Sequence, residues 1–186
     1  YRQGLGVIQS DKQAVRWFEE AAEQSYPNSM LSLAELYLEG LGVEQDYAKA
    51  RELLERLLDP EAKYEVRIED FSQLRRAKAR SSYLLGVIHS SGFGVDENME
   101  KAIVLFETAA HSGDQDATMY LAITYAEGTK VEKSVDKAKE YFELLDLQSS
   151  DALRRSLDTS NLATGDLTEV ENLRESADPP TPIIKF

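Results

Sequence analysis

A short glycine motif recurs four times along this chain at fixed distances. It first occupies residues 1–7, as Tyr-x-x-Gly-Leu-Gly-Val. It returns unchanged from Tyr37 and with substitutions from His89 and from Tyr125. The leading glycines of the four copies are separated by 36, 52 and 36 residues. Self-similarity with a period of this size is typical of stacked structural repeats. The chain is therefore predicted to be an array of small stacked units.

A second marker shares the same period. An alanine follows each glycine motif at the same three intervals, as Ala14, Ala50, Ala102 and Ala138. Apolar residues three and four positions after each alanine, and an apolar or small pair at the next turn, mark one face of a helix. The segment before each glycine motif also has helical spacing, and it places a small residue at one fixed site, as Ala34, Gly86 and Ala122. Each unit is therefore predicted to contain a helix A, a glycine turn and a helix B.

Polar residues precede the B helices. Asp11, Asp46 and Asn98 stand where a side chain can accept hydrogen bonds from the first unpaired amides of a helix. The small residue on helix A is expected to let the two helices of one unit approach closely. The units are thus predicted to be helical hairpins.

These residues resemble the Sel1-like repeat, a relative of the tetratricopeptide repeat. The resemblance is carried most fully by Ala117, residues 121–125, residues 92–95, the helix B pattern of residues 101–110, and Gly113. It covers residues 1 to about 148. Because a hairpin of this size cannot bury its apolar face alone, the expected fold is all-α, a right-handed α-solenoid of stacked hairpins.

Three places depart from the family pattern. The first unit lacks its helix A, Lys130 replaces the second glycine of the last turn, and Leu57-Leu58 replaces a pair of small residues. The missing helix predicts that further repeats lie upstream of Tyr1. The other two departures are expected to change local packing only.

The pattern divides the chain into three parts. Residues 1–148 form the repeat array, with an insertion at about residues 59–78 whose helical spacing predicts an extension of the flanking helices. Residues 149–177 are predicted to form C-terminal capping helices over the last repeat. Residues 178–186 hold three of the five prolines and are predicted to be an extended tail.

Composition excludes several classes of function. With 34 acidic and 21 basic residues, the formal net charge is −13, which disfavours nucleic acid as a partner. No apolar run is long enough for a transmembrane helix. The chain has no cysteine and two histidines, so neither a thiolate metal site nor a recognisable catalytic constellation is present, and we expect no cofactor and no enzymatic activity. His89 takes the tyrosine position of its repeat and is expected to pack at the seam between the two helices.

Two groups of residues are candidate partner-binding sites. The first lies on the A helices, which usually form the concave wall of such arrays, and consists of Met30, Ser32, Leu84 and Tyr120. Large side chains exposed on a concave wall are typical anchors for a partner. The alternative interpretation is that these residues pack against the next repeat.

The second candidate site is a basic run in the insertion. Arg75, Arg76, Lys78 and Arg80 give a local charge of +4 in an acidic chain. Such a contrast is expected of a docking site for an acidic partner or a polyanion. The alternative is that these residues pair with nearby carboxylates such as Glu69 and Asp70.

The resemblance implies a non-enzymatic scaffold or adaptor that assembles one or more proteins into a complex. By analogy, the setting would be bacterial envelope or secretion machinery, with a periplasmic or outer-membrane-associated location and a cytoplasmic location as the alternative. A second hypothesis is direct binding of carbohydrate or another polyanion, motivated by Tyr83, Tyr120 and the basic run.

Overall fold

The computed structural model describes residues 11–64 and 71–148, with side chains up to residue 145. The first glycine motif, the predicted capping helices and the predicted tail lie outside these residues. Within the described ranges the chain is helical and contains no strand. The helices are α1 (Asp11–Glu23), α2 (Pro27–Glu39), α3 (Tyr47–Leu58), α4 (Phe71–Ser91), α5 (Met99–His111), α6 (Gln115–Glu127) and α7 (Val135–Gln148).

The helices pair as hairpins in chain order. Helices α2 and α3, α4 and α5, and α6 and α7 are the A and B helices of three units, and α1 is the B helix of the unit before them. Each A helix also contacts the B helix of the preceding unit, so that the hairpins stack into a solenoid. This confirms the predicted all-α array.

Capping interactions begin and end the helices where the sequence predicts. The Asp46 carboxylate accepts a hydrogen bond from the Lys49 amide at 3.0 Å, and the Asn98 side chain accepts one from the Lys101 amide at 2.8 Å. Each A helix with a described turn ends at a glycine in the left-handed region, as at Gly40, where φ is 69°. That conformation reverses the chain at little steric cost because glycine has no Cβ.

The second glycine of each turn provides close contact with the preceding unit. A Cβ at Gly42 would lie 2.5 Å from the carbonyl carbon of Asp11, at the start of α1. A Cβ at Gly94 would lie 3.1 Å from Cβ of Tyr47, at the start of α3. The turn of one unit thus packs on the first turn of the previous B helix.

Lys130, which takes the place of the second glycine in the last turn, also contacts the preceding unit. Ser25 is the one non-glycine residue in the described ranges with a positive φ, so Lys130 does not reproduce the glycine conformation. Its Nζ instead donates a hydrogen bond to the Ser90 carbonyl at 2.8 Å and lies 3.1 Å from the Glu97 carboxylate. The last turn is therefore joined to the preceding one by a side chain.

One apolar core runs through the stacked hairpins. The alanines that define the period on the B helices, Ala50, Ala102 and Ala138, are fully buried. The small residue on helix A lies at the predicted close approach, since a Cβ at Gly86 would be 2.6 Å from the Phe106 ring. Small side chains at this seam let the helices pack at the density of a protein interior.

The insertion extends one flanking helix and not the other. Helix α4 has 21 residues against 13 in α2 and α6, which confirms the extension on that side. On the other side α3 ends at Leu58, so the predicted extension of that helix is wrong for residues 59–64, while residues 65–70 lie outside the described residues. Pro60 disfavours helical geometry at the residue before it. The Tyr64 hydroxyl instead donates hydrogen bonds to carbonyls at the end of α3. It lies 2.7 Å from the carbonyl oxygen of Arg56 and 2.9 Å from that of Leu57.

Replacing Gly86 with alanine tests the seam. The added methyl overpacks the fully buried Phe106 ring, which costs about 1–3 kcal/mol, while alanine gains about 1 kcal/mol of helix propensity. We expect a net loss of up to about 2 kcal/mol in the free energy of unfolding, measured with urea. The double variant Gly86→Ala/Phe106→Leu reproduces Ala34 and Leu54 of the preceding unit and should be more stable than the sum of the single changes. Strict additivity would contradict the contact.

Candidate partner-binding surface

Two of the four predicted A-helix residues are buried. Met30 and Leu84 each expose 1% of their surface and belong to the core, so the prediction that they face a partner is corrected. The physical reason is that each A helix lies between two B helices, its own and that of the preceding unit. Most of its circumference is covered, and among residues 81–90 of α4 only Val87 is not buried.

The other two residues stay accessible. Ser32 and Tyr120 are partly exposed. The Tyr120 ring packs on that of Phe106 with 4.1 Å between the centroids, and Phe106 in turn contacts Tyr83 at 5.8 Å. One side of Tyr120 is therefore held by the core.

Sequence reasoning missed a row of partly exposed apolar residues on the same helices. These residues, which with Tyr120 we call the A-helix face, are Leu31, Val87, Met119 and Ile123. They occupy two repeat positions one helical turn apart, 31/83/119 and 35/87/123, and equivalent positions in a solenoid lie on the same side. The signal was the presence of apolar side chains at positions that pack against the core and still stay partly exposed.

Arg80 belongs to the fold rather than to a docking site, which corrects the prediction. Its Nη1 lies 2.5 Å from an Asp116 carboxylate oxygen and 3.8 Å from one of Asp114, and its guanidinium lies 4.6 Å from the centre of the Tyr83 ring. Burial by itself lowers the Arg80 pKa, but the hydrogen bond to Asp116 and the charge of Asp114 outweigh it and raise the pKa. Arg80 thus joins α4 to the first turn of α6 in the next unit.

The partners of Arg80 are also held in place. The Asp114 carboxylate accepts a hydrogen bond from the Ala117 amide at 2.9 Å and caps α6. Burial raises the Asp114 pKa, against the lowering effects of that hydrogen bond and of Arg80. Burial, assisted by the charge of Asp116, raises the pKa of Tyr83 to about 12, so its hydroxyl stays protonated at neutral pH.

The rest of the basic run lies on the part of α4 formed by residues 71–78, which we call the basic arm. Lys78 is partly buried, with its Nζ 5.2 Å from the centre of the Tyr64 ring. Arg75 and Arg76 are exposed, and so is Phe71, at 58% of its surface. Of the four predicted basic residues, the structure therefore leaves two fully on the surface.

Neither histidine lies in a metal-binding cluster. His89 is 7% exposed at the seam between α4 and α5, where burial and then the charge of Lys101 lower its pKa. His111 is exposed at the end of α5, with its Nδ1 2.7 Å from the Glu107 carbonyl. Across residues 11–64 and 71–148, no three histidine or carboxylate side chains converge on a site for a metal ion. No helix in these ranges has the length and apolar character needed to cross a bilayer.

Replacing Arg80 with methionine tests its role between the repeats. The substitution leaves two carboxylates beside each other without their cation, and we expect it to lower the free energy of unfolding by about 1–3 kcal/mol. Arg75→Met, an exposed position on the same helix, is the matched control and should change stability by less than about 0.5 kcal/mol. Equal effects in urea unfolding would show that the ion pairs of Arg80 contribute nothing.

Two bacterial repeat proteins are among the solved structures that match this chain. One is c5321, a protective antigen present in uropathogenic Escherichia coli strains and displaying an SLR fold, with a TM-score of 0.67 and 24% sequence identity. That match covers 94% of the present chain and 34% of c5321, so the chain spans about a third of that protein. The other is a Sel1 repeat protein from Oxalobacter formigenes, with a TM-score of 0.41 and 20% identity, covering 95% of the present chain and 82% of that protein.

Comparison with curated proteins gave no match. The family model for the Sel1 repeat matches residues 1–26, 27–59, 79–114 and 115–145, which is more than half of the sequence and confirms the resemblance. Sel1 repeats generally mediate protein–protein interactions and are a non-enzymatic fold. The chain belongs to the Sel1 repeat family.

Proposed function

We propose that this chain is a non-enzymatic adaptor that binds an acidic segment of a protein partner through the basic arm. The observation that carries the proposal is the length of α4. The third family match begins at residue 79, whereas α4 begins at Phe71, so about two helical turns precede the repeat. These turns are additional to what the stacking of repeats uses in α2 and α6.

The basic arm is fixed in position by two contacts. The Asn28 side chain at the start of α2 donates a hydrogen bond to the Gln73 side chain at 2.6 Å. Lys78 lies over the Tyr64 ring, and Tyr64 is itself bonded to the end of α3. An interaction surface on such a rigid element loses little conformational entropy on binding.

The exposed side of the basic arm has the chemistry of a docking surface. Phe71 and Arg75 are four residues apart on the helix and therefore neighbours, and Arg76 follows directly. Aromatic and arginine side chains dominate the energetics of protein interfaces. In a chain of net charge −13, a local positive surface attracts acidic segments and speeds their association.

Charge reversal at the basic arm tests the proposal. We expect Arg75→Glu/Arg76→Glu to abolish capture of the partner in a crosslinking pull-down from the source cell extract, because the docking surface becomes repulsive. Binding to the unaltered chain should weaken as salt is raised. Phe71→Ala should weaken capture without changing its salt dependence.

The matched control is Lys12→Glu/Arg16→Glu. These two residues are exposed on α1 and give the same change in net charge. A protein retained by this control and lost from the basic-arm variant supports the proposal. Equal retention by both variants would reject the basic arm and direct the search to the A-helix face, which Met119→Asp would test.

If no protein is retained by the unaltered chain, the adaptor proposal fails. Calorimetric titration with acidic and neutral oligosaccharides then tests the carbohydrate alternative. Tyr83 and Arg80, two residues that motivated this alternative, contact each other within the fold, which leaves Tyr120 with Arg75 and Arg76 as accessible groups. A role in bacterial envelope or secretion machinery stays a prediction from the resemblance.

A further inference from the structure

An acid, an aromatic residue and a lysine occupy matched positions around the A-helix seam in three successive units. In the second unit, the Tyr37 hydroxyl donates a hydrogen bond to Glu19 of the preceding B helix at 3.4 Å. Lys49 of its own B helix lies 5.2 Å from the centre of the Tyr37 ring. The contact joins three helices at one aromatic side chain.

The fourth unit repeats the lysine contact at the same aromatic position, Tyr125, while its acid bonds a different tyrosine. Lys137 donates a hydrogen bond to the Tyr125 hydroxyl at 3.2 Å and lies 4.5 Å from the ring centre. Glu107, at the position of Glu19, accepts a hydrogen bond from the Tyr141 hydroxyl at 3.3 Å. The tyrosine hydroxyl can both donate and accept, so it suits a site between an acid and a cation.

In the third unit the aromatic residue is His89. Its neighbours at matched positions are Glu55 of α3 and Lys101 of α5, and Arg51 of α3 also acts on it. His89 exposes 7% of its surface, and its buried Nε2 has no hydrogen-bond partner within the described part of the chain. Replacing tyrosine with histidine has therefore left a titratable group at the seam with one nitrogen unpaired.

We propose that His89 makes the seam of the third repeat sensitive to pH, holding α4 against α5 when the imidazole is neutral and loosening them when it is protonated. An imidazolium carries N–H donors on both nitrogens, so protonation would bury a donor at Nε2 without an acceptor. It would also add a positive charge close to Lys101 and Arg51. The single facing carboxylate, Glu55, does not compensate for burial and two cations.

The backbone of His89 is hydrogen-bonded to the residue that caps α5, so a change at His89 can reach the start of that helix. The His89 carbonyl accepts a hydrogen bond from the Asn98 amide at 2.8 Å, and Asn98 caps α5. In the other units the equivalent carbonyl of Tyr37 accepts a hydrogen bond from the Asp46 amide, and that of Tyr125 accepts one from the Ser134 amide. Displacement of His89 thus weakens the bond that closes the turn between α4 and α5.

The direction of the pH effect follows from linkage. Burial, then Lys101, lowers the His89 pKa below its ordinary value of 6.5, so the folded state favours the neutral imidazole. The unfolded chain binds the proton at a higher pH than the folded chain does. The stabilising contribution is therefore complete above about pH 6.5 and is lost as the pH falls through the folded pKa.

Hydrogen exchange between about pH 7.5 and 5.5, a range above the titration of ordinary carboxylates, tests the proposal. After correction for intrinsic exchange rates, we expect protection of α4 and α5 amides to fall severalfold towards the acid end, with a smaller change in α2 and α3. His89→Tyr, which introduces the residue of the other units, should abolish the extra loss. His111→Gln removes the one other histidine of the chain and should leave the loss unchanged.

A direct titration keeps the proposal falsifiable if His89→Tyr does not fold. The His89 ring proton in the unaltered chain should titrate below 6.5 by NMR, and Lys101→Gln should move its midpoint upwards. A midpoint at or above 6.5, or acid loss of protection that persists in folded His89→Tyr, would overturn the proposal.

Discussion

The burial of helix A between two B helices is the constraint on which the rest of the structure depends. Helix A must contact its own partner and the B helix of the preceding unit at once, so a large part of its circumference is apolar or small. Gly86 shows the consequence most clearly, since the Phe106 ring occupies the space of a Cβ. The turns obey the same constraint, because Gly42 brings the chain against the backbone of α1.

This constraint explains which parts of the fold were predictable. Order, type and caps of the helices follow from local signals, and Asp46 and Asn98 cap α3 and α5 as their positions predict. The predicted extension of α3 into the insertion also failed for a local reason, because Pro60 disfavours helical geometry at the residue before it. Periodicity alone does not reveal how much of a helix is covered, and so it placed Met30 and Leu84 on the surface.

The polar contacts between units could not be predicted from the sequence, for a different reason. Three hydrogen-bonded pairs are separated by 36, 40 and 45 residues in the sequence. They are Arg80 with Asp116, Lys130 with Ser90, and Asn28 with Gln73. These separations are close to one repeat length, so the period predicts which helices adjoin. It does not predict which long side chains meet across them, because that depends on the relative rotation of neighbouring helices.

Departures from the repeat pattern therefore fall into different kinds. They differ in whether the polar atoms of the new side chain have partners inside the fold. Lys130 replaces a glycine and recovers a hydrogen bond and an ion pair, so its presence has a structural explanation. His89 replaces a tyrosine and leaves Nε2 unpaired, which turns a structural position into a titratable one. Arg75 and Arg76 stand outside the repeat and project to the surface of an otherwise acidic chain. A repeat fold that uses so much of its A helices for stacking leaves function to such positions, which the stacking does not require.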